Sequence, residues 1–501
     1  MNEQTSSMKN NCLTILIAAS LLLTGTVSCK KMLEPEIYSQ LTNDNFPKTE
    51  KDINSILTSF YTQFTHDWGP ANPTTGVNMW GVYSSMNSWS HISSATTDEK
   101  WDSWSPQFKF QWGSAFDTYD YLYSKISFVA RATSFLKTLE DASISDGLKR
   151  SAIAETKCLR AWLMFLLYDF YGPVSVKLDP ASLSDNSFEA RPSKQTYLDA
   201  IVNDLTSAIP DLSDKTNGSA FWGKVNKGLA RMLLMKLYMN DHQWPKAKTV
   251  ATELLGMGYS LQSSYKNIFI QEGNNEVIWA VPSGINVPNH WLPTNLPWDA
   301  KKVAGIDVDP GWSGYYMPWS FYNTFPVGDQ RLQTIVAEYD DMYGNHYKHG
   351  SGNEGYDLPK GALVIKYLVP YELNKTGNFS TVGFRYADVL LSMAEIQNEI
   401  NNGISPADLD SYVKPVTDRA GISIPAGATS SKEAFKTFLL AERGRELFWE
   451  GWRRQDLIRF GKFIEYGQAA GNPAASHMVL FPIPPRVVQE AGGVVTNNPG
   501  Y

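Results

Sequence analysis

One apolar segment places the strongest limit on how this chain can fold. From Leu148 to Tyr171, apolar residues occupy nearly every side of a predicted helix, and the following Gly172-Pro173 brings that helix to an end. A helix that is apolar all round has to be buried on most of its sides. The fold therefore has to surround this helix with other elements.

The neighbouring sequence supplies such elements as pairs of helices. Residues 225–241 and 245–255 read as two helices joined by a short turn, with a small residue at Ala230 and an aromatic one at Tyr238. This pattern is typical of tetratricopeptide-type pairs, which cannot bury their apolar faces alone and stack on their neighbours. We therefore predict a mainly α fold, a tetratricopeptide-like scaffold of helix pairs with a few short strands. Further predicted helices cover 52–61, 116–139, 194–209, 385–401 and 406–419, and predicted strands cover 277–281 and 363–369.

Two long segments without helical periodicity interrupt this scaffold, residues 62–115 and 257–380. Both are rich in aromatic residues, and both contain many Gly and Pro, which favour turns and loops. Helix pairs on either side of such segments indicate one helical domain, 51–501, that carries a variable ligand-binding face. The prolines after Leu480 predict an extended tail that cannot be a central strand.

The stretch from Glu433 to Lys462 is free of proline and dense in both charged and aromatic residues. Its apolar residues recur every three or four positions, which predicts one amphipathic helix. Glu442, Glu446, Arg453 and Asp456 fall on a further shared face of that helix. Such a face beside aromatic rings indicates either an active site or a buried structural network.

We favour the structural network for this face. General acid–base catalysis needs carboxylates that line a cleft, whereas these carboxylates lie among residues typical of a core. Buried charges require partners, and Arg385 and Asp388, at the start of another apolar helix, are the predicted ones. Glu450 has the spacing to pair with Arg453 and Arg454 along its own helix.

Residues 1–28 are predicted to be an export signal and not part of the fold. The apolar run from Leu13 to Val27 is too short to span a membrane and has the length of a signal-peptide core. The run ends at Ser28-Cys29, which resembles a bacterial lipobox, so we expect Cys29 to carry lipid and 29–50 to form a tether. Stable anchoring would need more than one acyl chain. The alternative is an ordinary secreted protein in which Cys29 is buried.

Charge and motifs argue against several functions. The formal net charge of -7 argues against nucleic acid or an anionic lipid surface as a partner. Gly218–Lys224 has the spacing of a phosphate loop but lacks the Ser or Thr that binds magnesium, and Gly350–Gly355 matches a dinucleotide motif by letters only. His346 and His349 share a Gly-rich loop without a nearby Cys. We therefore predict no metal site, no cofactor and no catalytic residues.

Tryptophans outside the predicted helices are the remaining unusual feature of this chain, which has 16 tryptophans. Several lie among Asn, Ser, Thr, Gly and Asp. An indole face beside short polar side chains suits a sugar ring, and covering about 80 Å² of it contributes roughly 2 kcal/mol. For any one of them, burial beneath a neighbouring loop stays the alternative. The predicted ligand-binding residues are Trp80, Trp89, Trp101, Trp104, Trp291, Trp298 and Trp312.

Several segments follow one another in a specific order. They are KKMLE after Cys29, LRAWLMFLLYDFYGPV, VNKGLARMLLMKLYM, RYADVLLSMAEIQNE, ERGRELFWEGWRRQDLIRFGK, LFPIPPRVV and the closing NNPGY. In this order they resemble the SusD/RagB family, outer-membrane lipoproteins of Bacteroidetes that capture nutrients, over essentially the whole chain. The resemblance implies a tetratricopeptide-like scaffold, no catalysis and association with a SusC-type TonB-dependent transporter.

The resemblance also indicates which tryptophans contact ligand. In starch-binding members of the family, stacking tryptophans closely follow a Thr-Asp-Glu turn. Here Thr97-Asp98-Glu99 precedes Trp101 and Trp104, so these two are the best candidates. The long irregular middle implies a second group of contacts, Trp291, Trp298 and Trp312.

Two functions of different classes remain open. The first is a lipid-anchored protein of the outer membrane, facing the cell exterior, that captures a glycan and delivers it to the transporter. The second is a RagB-like protein that captures peptides, or a structural lid of the transporter. Catalysis is a distant third hypothesis.

Overall fold

The apolar segment that limits the fold forms one continuous helix, Asp146–Tyr171, in the computed structural model of the chain. It ends at Gly172, whose φ of +69° is a left-handed conformation that glycine adopts without a steric penalty. The second half of the helix is almost entirely buried, including Trp162 and Phe165. The structure describes residues 49–64, 88–113, 120–185, 187–283, 289, 291–370 and 379–501.

Helices dominate the described residues, and none of their strands exceeds five residues, which confirms the predicted mainly α fold. The helices are α1 (Glu50–Tyr61), α2 (Trp89–Ala95), α3 (Asp120–Tyr123), α4 (Ile126–Asp141), α5 (Asp146–Tyr171), α6 (Lys194–Ala208), α7 (Lys227–Asn240), α8 (Trp244–Leu255), α9 (Asn267–Ile270), α10 (Trp291–Asn295), α11 (Trp319–Tyr322), α12 (Tyr386–Asn401), α13 (Pro406–Asp408), α14 (Lys414–Ala420), α15 (Lys432–Leu447), α16 (Arg453–Arg459), α17 (Phe463–Ala469) and α18 (Pro485–Glu490). The strands are β1 (Trp101–Asp102), β2 (Val277–Val281), β3 (Ala300–Val303), β4 (Ile306–Asp307), β5 (Tyr315–Tyr316), β6 (Ile335–Val336), β7 (Glu338–Asp341), β8 (His346–Lys348), β9 (Leu363–Val364) and β10 (Thr381–Arg385). Over these described ranges, no helix combines the length and the hydropathy that a membrane crossing requires.

The scaffold helices pack mainly on their neighbours in sequence. α4 packs on α5, α5 on α6 and α7 on α8, while α12 contacts both α8 and α15. These helices share one large hydrophobic core that includes Trp162, Leu233 and Trp452. Because burying one Leu or Phe side chain contributes about 1.5–3 kcal/mol, such a core holds the helices firmly relative to one another.

The long middle segment is more ordered than its sequence predicts. Four of its strands form an antiparallel sheet in the order β4-β3-β7-β8, and the predicted strand β2 pairs with β10. Side chains of the segment build hydrophobic clusters of their own, one around Trp291 and Tyr367 and another around Leu292 and Ile365. The loops of this segment are therefore held by small cores of their own beside the helical scaffold.

The stretch from Glu433 to Lys462 is not the single helix that its periodicity predicts. Helix α15 ends at Leu447, and α16 begins only at Arg453. Between them the backbone is left-handed at Trp449 (φ +59°) and at Gly451 (φ +87°). A Cβ at Gly451 would lie 3.1 Å from the ring of Trp89, so close packing also favours glycine there. The apolar residues continue through the break, which is why their spacing does not reveal it.

Glu446 on α15 lies at the centre of a buried network of ion pairs. Its Oε1 accepts hydrogen bonds from Arg385, at 2.5 Å, and from Arg419, while its Oε2 accepts one from Arg331 at 3.3 Å. Arg331 also pairs with Glu442 at 2.7 Å, and none of these five side chains is more than 4% exposed. The network ties α15 to β10, to α14 and to the middle segment.

Arg443, on the same helix, extends the network in a second direction. It pairs with Asp388 of α12 and with Asp456 of α16, both at 2.8 Å. Asp388 also pairs with Lys236 of α7 at 2.6 Å. The predicted charged residues on these helices therefore lie in buried ion pairs and do not line a cleft.

The predicted pairing of Glu450 along its own helix is wrong. Glu450 instead pairs with Arg385 and Lys366, both at 2.7 Å. The cause is the break after α15, which removes the helical spacing between Glu450 and the two arginines that follow, Arg453 and Arg454. Those arginines pair with acids from other segments of the chain.

Acid should weaken this network over a defined range of pH. Burial alone would raise the pKa of Glu446, but the guanidinium groups of Arg419, Arg385 and Arg331 outweigh it and lower the pKa from 4.5 to about 2. The unfolded chain therefore takes up this proton at a higher pH than the folded one. Stability from this group is present above pH 4.5 and is lost as the pH falls through 2, a loss of about 3 kcal/mol. Urea unfolding midpoints measured between pH 6 and pH 2 check this.

Candidate functional site

The structure separates the predicted ligand-binding tryptophans by exposure. Trp104 is 36% exposed and Trp298 is 46% exposed. Trp101 and Trp312 are half-buried. Trp80 and the predicted lipid-bearing Cys29 lie outside the described residues.

Trp89 and Trp291 are corrections to the predicted set, because both are buried. Trp89 donates its indole Nε1–H to Asp169 at 2.8 Å and packs on Trp452, with ring centres 5.1 Å apart. Trp291 packs between Tyr367 and Trp449, with ring centres 5.1 and 5.6 Å away. Neither ring is open to a ligand. Both instead hold loops against the scaffold.

Trp104 is held in place by contacts on two sides. Its backbone N–H donates to Asp102 Oδ1 at 2.8 Å, which closes a tight turn directly after β1. Strand β1 pairs with β5, and the ring of Tyr315 in β5 meets the indole edge-on, with centres 5.1 Å apart. Gly314 lies directly beneath the indole, since a Cβ there would come within 2.4 Å of the ring. The position of the indole is therefore fixed by its contacts with Tyr315 and Gly314.

Trp298 is fixed close to the same segment. Its backbone N–H donates to Ser313 Oγ at 2.9 Å, next to Gly314 beneath Trp104. The next residue, Asp299, accepts a hydrogen bond at its backbone oxygen from Met342 N–H at 2.8 Å. This bond joins the β7–β8 turn to the loop that carries Trp298. Loops that are far apart in sequence are thus joined by direct hydrogen bonds at one place.

Two exposed tyrosines beside these loops were not predicted from the sequence. Tyr343, in the β7–β8 turn, is 68% exposed, and Tyr356 is 62% exposed. Lys360 Nζ lies 3.3 Å from the ring centre of Tyr356 and 5.2 Å from that of Tyr316 in β5. The hairpin turn from Asp341 to Asn345 is the one local signal that could have located Tyr343. We call the exposed rings of Trp104, Trp298, Tyr343 and Tyr356 the aromatic face.

Trp101 lines a cavity and does not share the exposure of Trp104. The cavity has a volume of about 240 Å³ and lies between β1 and α17. Trp101, Phe110, Phe463 and Tyr466 supply its apolar walls, and Asp98 contributes a carboxylate. Rings beside a few polar groups are typical of small-ligand pockets. Trp101 therefore remains a candidate contact residue.

The buried scaffold holds the turn that leads into this site. Arg453 of α16 binds Asp98 through two hydrogen bonds of 2.8 and 2.7 Å. In the break before α16, Trp449 donates its indole N–H to the backbone oxygen of Glu99 at 2.6 Å. The predicted structural residue Arg453 thus anchors the Thr97–Glu99 turn that precedes Trp101. Over the described ranges, no group of three or more His, Cys, Asp or Glu side chains is placed to hold a metal ion.

Gly314→Ala is expected to weaken ligand binding several-fold with little loss of stability. Its Cβ would meet the ring of Trp104 at 2.4 Å, and the indole has to tilt because a side chain yields more readily than the backbone. Gly427→Ala is the matched control, since nothing lies within 4 Å of a Cβ there. Calorimetric titration and thermal unfolding of both variants check this. Unchanged affinity in Gly314→Ala would show that the position of Trp104 does not matter.

Two family models match this chain, one in each half. A family model described as "SusD family" matches residues 275–501, and one described as "Starch-binding associating with outer membrane" matches residues 31–239. The chain belongs to the SusD family. SusD-like protein P38 of Formosa agariphila is 23% identical, over 91% of this chain and 92% of its own length. Starch-binding protein SusD of Bacteroides thetaiotaomicron is 21% identical, over 74% of this chain and 77% of its own length.

Solved structures of the SusD superfamily share the fold. A member from Parabacteroides distasonis has a TM-score of 0.73 at 20% identity, covering 92% of this chain and 100% of its own. A laminarin-binding SusD-like protein has a TM-score of 0.70 at 22% identity, covering 91% and 100%. Surface glycan-binding protein A of Bacteroides thetaiotaomicron, solved with laminarihexaose, has a TM-score of 0.70 at 20% identity, covering 89% and 99%. The helical scaffold of this chain therefore has the same fold as these structures.

Proposed function

We propose that this SusD family member binds a glycan at the aromatic face, with Trp104 and Trp298 as its main stacking platforms. The observation that carries the proposal is exposure: among the tryptophans of the described ranges, only these two are exposed. The backbone of both residues is nevertheless fixed by hydrogen bonds, so ligand binding costs little conformational entropy at these loops. Hydrogen bonds join the loops that carry these exposed rings, and exposed aromatic residues on joined loops favour a binding surface.

The free energy expected from stacking on two indoles is sufficient for a carbohydrate-binding site. Covering about 80 Å² of each indole contributes roughly 2 kcal/mol, so two platforms reach the ~4 kcal/mol of a millimolar site. Hydrogen bonds to sugar hydroxyls and contacts with Tyr343 and Tyr356 would add to this. The names of similar proteins, which include starch and laminarin binders, support a glycan as the ligand class.

Affinity electrophoresis tests the ligand class. Native gels are cast with starch, laminarin or other soluble polysaccharides, and the migration of the protein is compared with that in a gel without glycan. We expect retardation by at least one polysaccharide, with the glycan recovered intact because the protein acts by binding and not by catalysis. The absence of retardation in every gel, together with peptides that co-purify with the protein, would instead favour peptide capture.

Delivery to a transporter at the outer membrane is the second part of the proposal. An acylated Cys29 and the tether 29–50 would hold the protein at the cell exterior, beside a SusC-type TonB-dependent transporter. The outer-membrane association in the description of one matching family model supports this location. Purification from membranes in mild detergent should yield both proteins together, and Cys29→Ala should release this protein from the membrane. A Cys29→Ala variant that stays in the membrane fraction would contradict lipid anchoring.

A further inference from the structure

Beneath Trp104 lies a buried chain of hydrogen bonds. Lys100 Nζ donates to His91 Nδ1 at 2.9 Å, and His91 Nε2 lies 2.9 Å from Asp102 Oδ2. The other oxygen of this carboxylate, Oδ1, accepts from the backbone N–H groups of Trp104 (2.8 Å) and Ser105 (3.1 Å). The side chains of His91 and Asp102 are each 1% exposed, so neither reaches a ligand. These buried groups can therefore affect a ligand only indirectly, and Trp104 is an exposed residue that Asp102 contacts directly.

The donor at one end fixes the direction of the whole chain. A lysine ammonium has only donors, so Nδ1 of His91 accepts and Nε2 carries the proton that is donated to Asp102. Burial and the Lys100 charge lower the pKa of His91 to about 4, and burial lowers the pKa of Lys100 to about 7. At pH 6, therefore, His91 is neutral and Lys100 is mostly charged.

Lys100 and His91 also reach Trp104 indirectly, through the ring of Tyr315. Lys100 Nζ lies 4.0 Å from the ring centre of Tyr315 and 4.7 Å from that of Trp449. The His91 ring packs on Tyr315, with centres 4.5 Å apart. Tyr315 in turn meets the indole of Trp104 edge-on at 5.1 Å. The ring of Tyr315 thus lies between these two residues and the indole.

We propose that His91, with its tautomer set by Lys100, is a positioning residue for the aromatic face. It holds Asp102 so that the second carboxylate oxygen closes the turn that orients Trp104. The inference rests on the proposed function only in treating Trp104 as a ligand platform. The geometry of the hydrogen bonds makes it testable without any ligand.

Asp102→Asn creates a specific conflict. If the amide oxygen faces the N–H of Trp104, the amide NH₂ group points at the Nε2–H of His91. If the amide turns over, its NH₂ group points at the N–H of Trp104. His91 could relieve the conflict by moving its proton to Nδ1, but the Lys100 ammonium occupies that side. As long as Lys100 is charged, it has no lone pair that could accept this proton, so the turn has to open.

Lys100→Met should remove this block, because methionine has nearly the same length and packs well on aromatic rings. In the double variant, Nδ1 can carry the proton and Nε2 can accept from the new amide. The readout is the ¹⁹F NMR spectrum of the full protein labelled with 5-fluorotryptophan at pH 6, with the Trp104 signal identified by its loss in Trp104→Phe. We expect Asp102→Asn to shift and broaden that signal, and Asp102→Asn with Lys100→Met to restore it. Lys100→Met alone should leave it in place.

The other tryptophan signals report whether each variant is folded. Asp179→Asn is the matched control, since Asp179 closes a similar turn by accepting from Ala181 N–H at 2.9 Å, and it should leave the Trp104 signal unchanged. His91→Phe is a second test that keeps a neutral ring in place. It should shift the Trp104 signal, and Lys100→Met should not restore it.

An unshifted Trp104 signal in Asp102→Asn, or no restoration in the double variant, would overturn the positioning role. Affinity electrophoresis on starch and laminarin is the parallel measurement, with retardation expected to fall in Asp102→Asn and to return in the double variant. A wild-type protein that no polysaccharide retards would contradict the proposed function alone. The ¹⁹F signals would still decide the role of His91.

Discussion

Glu446→Ala is expected to lower the free energy of unfolding by about 3–5 kcal/mol, the range for breaking a buried ion pair by removing one partner. The carboxylate is fully buried and accepts hydrogen bonds from Arg385, Arg419 and Arg331. Alanine leaves three guanidinium groups close together without the charge between them. Urea unfolding followed by far-UV circular dichroism measures the loss.

Glu433→Ala is the matched control on the same helix. The Glu433 side chain is 76% exposed and pairs with Lys436 at 3.6 Å, so its removal should change stability by less than about 0.5 kcal/mol. Ligand affinity of the Glu446→Ala protein that remains folded should equal that of the wild type. An unchanged unfolding midpoint combined with lost binding would mean that Glu446 belongs to a ligand site.

Replacing Trp104 and Trp298 together by alanine should abolish measurable glycan binding while the fold stays intact. Each indole is expected to contribute about 2 kcal/mol, close to thirtyfold in affinity, so the loss of both removes a millimolar site. Stability should change little, because both side chains are exposed. Calorimetric titration with the polysaccharide that retards the wild type measures the effect.

Phe188→Ala provides the control for this pair of substitutions. Phe188 is 42% exposed, between the values for Trp104 and Trp298, but it lies on the segment before α6, beside Tyr123 and Ile126. Its removal should leave glycan affinity unchanged. Wild-type affinity in the double tryptophan variant would place the ligand elsewhere on the protein.

The scaffold could be predicted because helical periodicity records burial over a few neighbouring residues. The ends of α1, α6 and α7 lie within two residues of the predicted ones. The same periodicity failed after Leu447, where the chain breaks but the apolar residues continue. Arg331 was missed as well, since its partner Glu442 lies 111 residues further along the chain and the segment around Arg331 shows no helical pattern.

The binding face was harder to predict, because exposure of a loop residue depends on distant contacts. Trp89 and Trp104 both have serine neighbours, yet Asp169 and Trp452 bury the first, while Gly314 supports the second in solvent. Polar neighbours in sequence therefore did not distinguish an exposed tryptophan that can stack on a ligand from a buried tryptophan that holds a loop in place. Tyr343 escaped prediction for a related reason, since a single tyrosine in a turn produces no periodic signal.

A crystal structure of the protein with a polysaccharide fragment that retards it in a gel is the most direct test of the binding face. We expect sugar rings stacked on Trp104 and Trp298, with the buried pairs of Glu446 unchanged from the free protein. A glycan bound elsewhere, with both indoles still in contact with water, would contradict the assignment of the aromatic face as the ligand site.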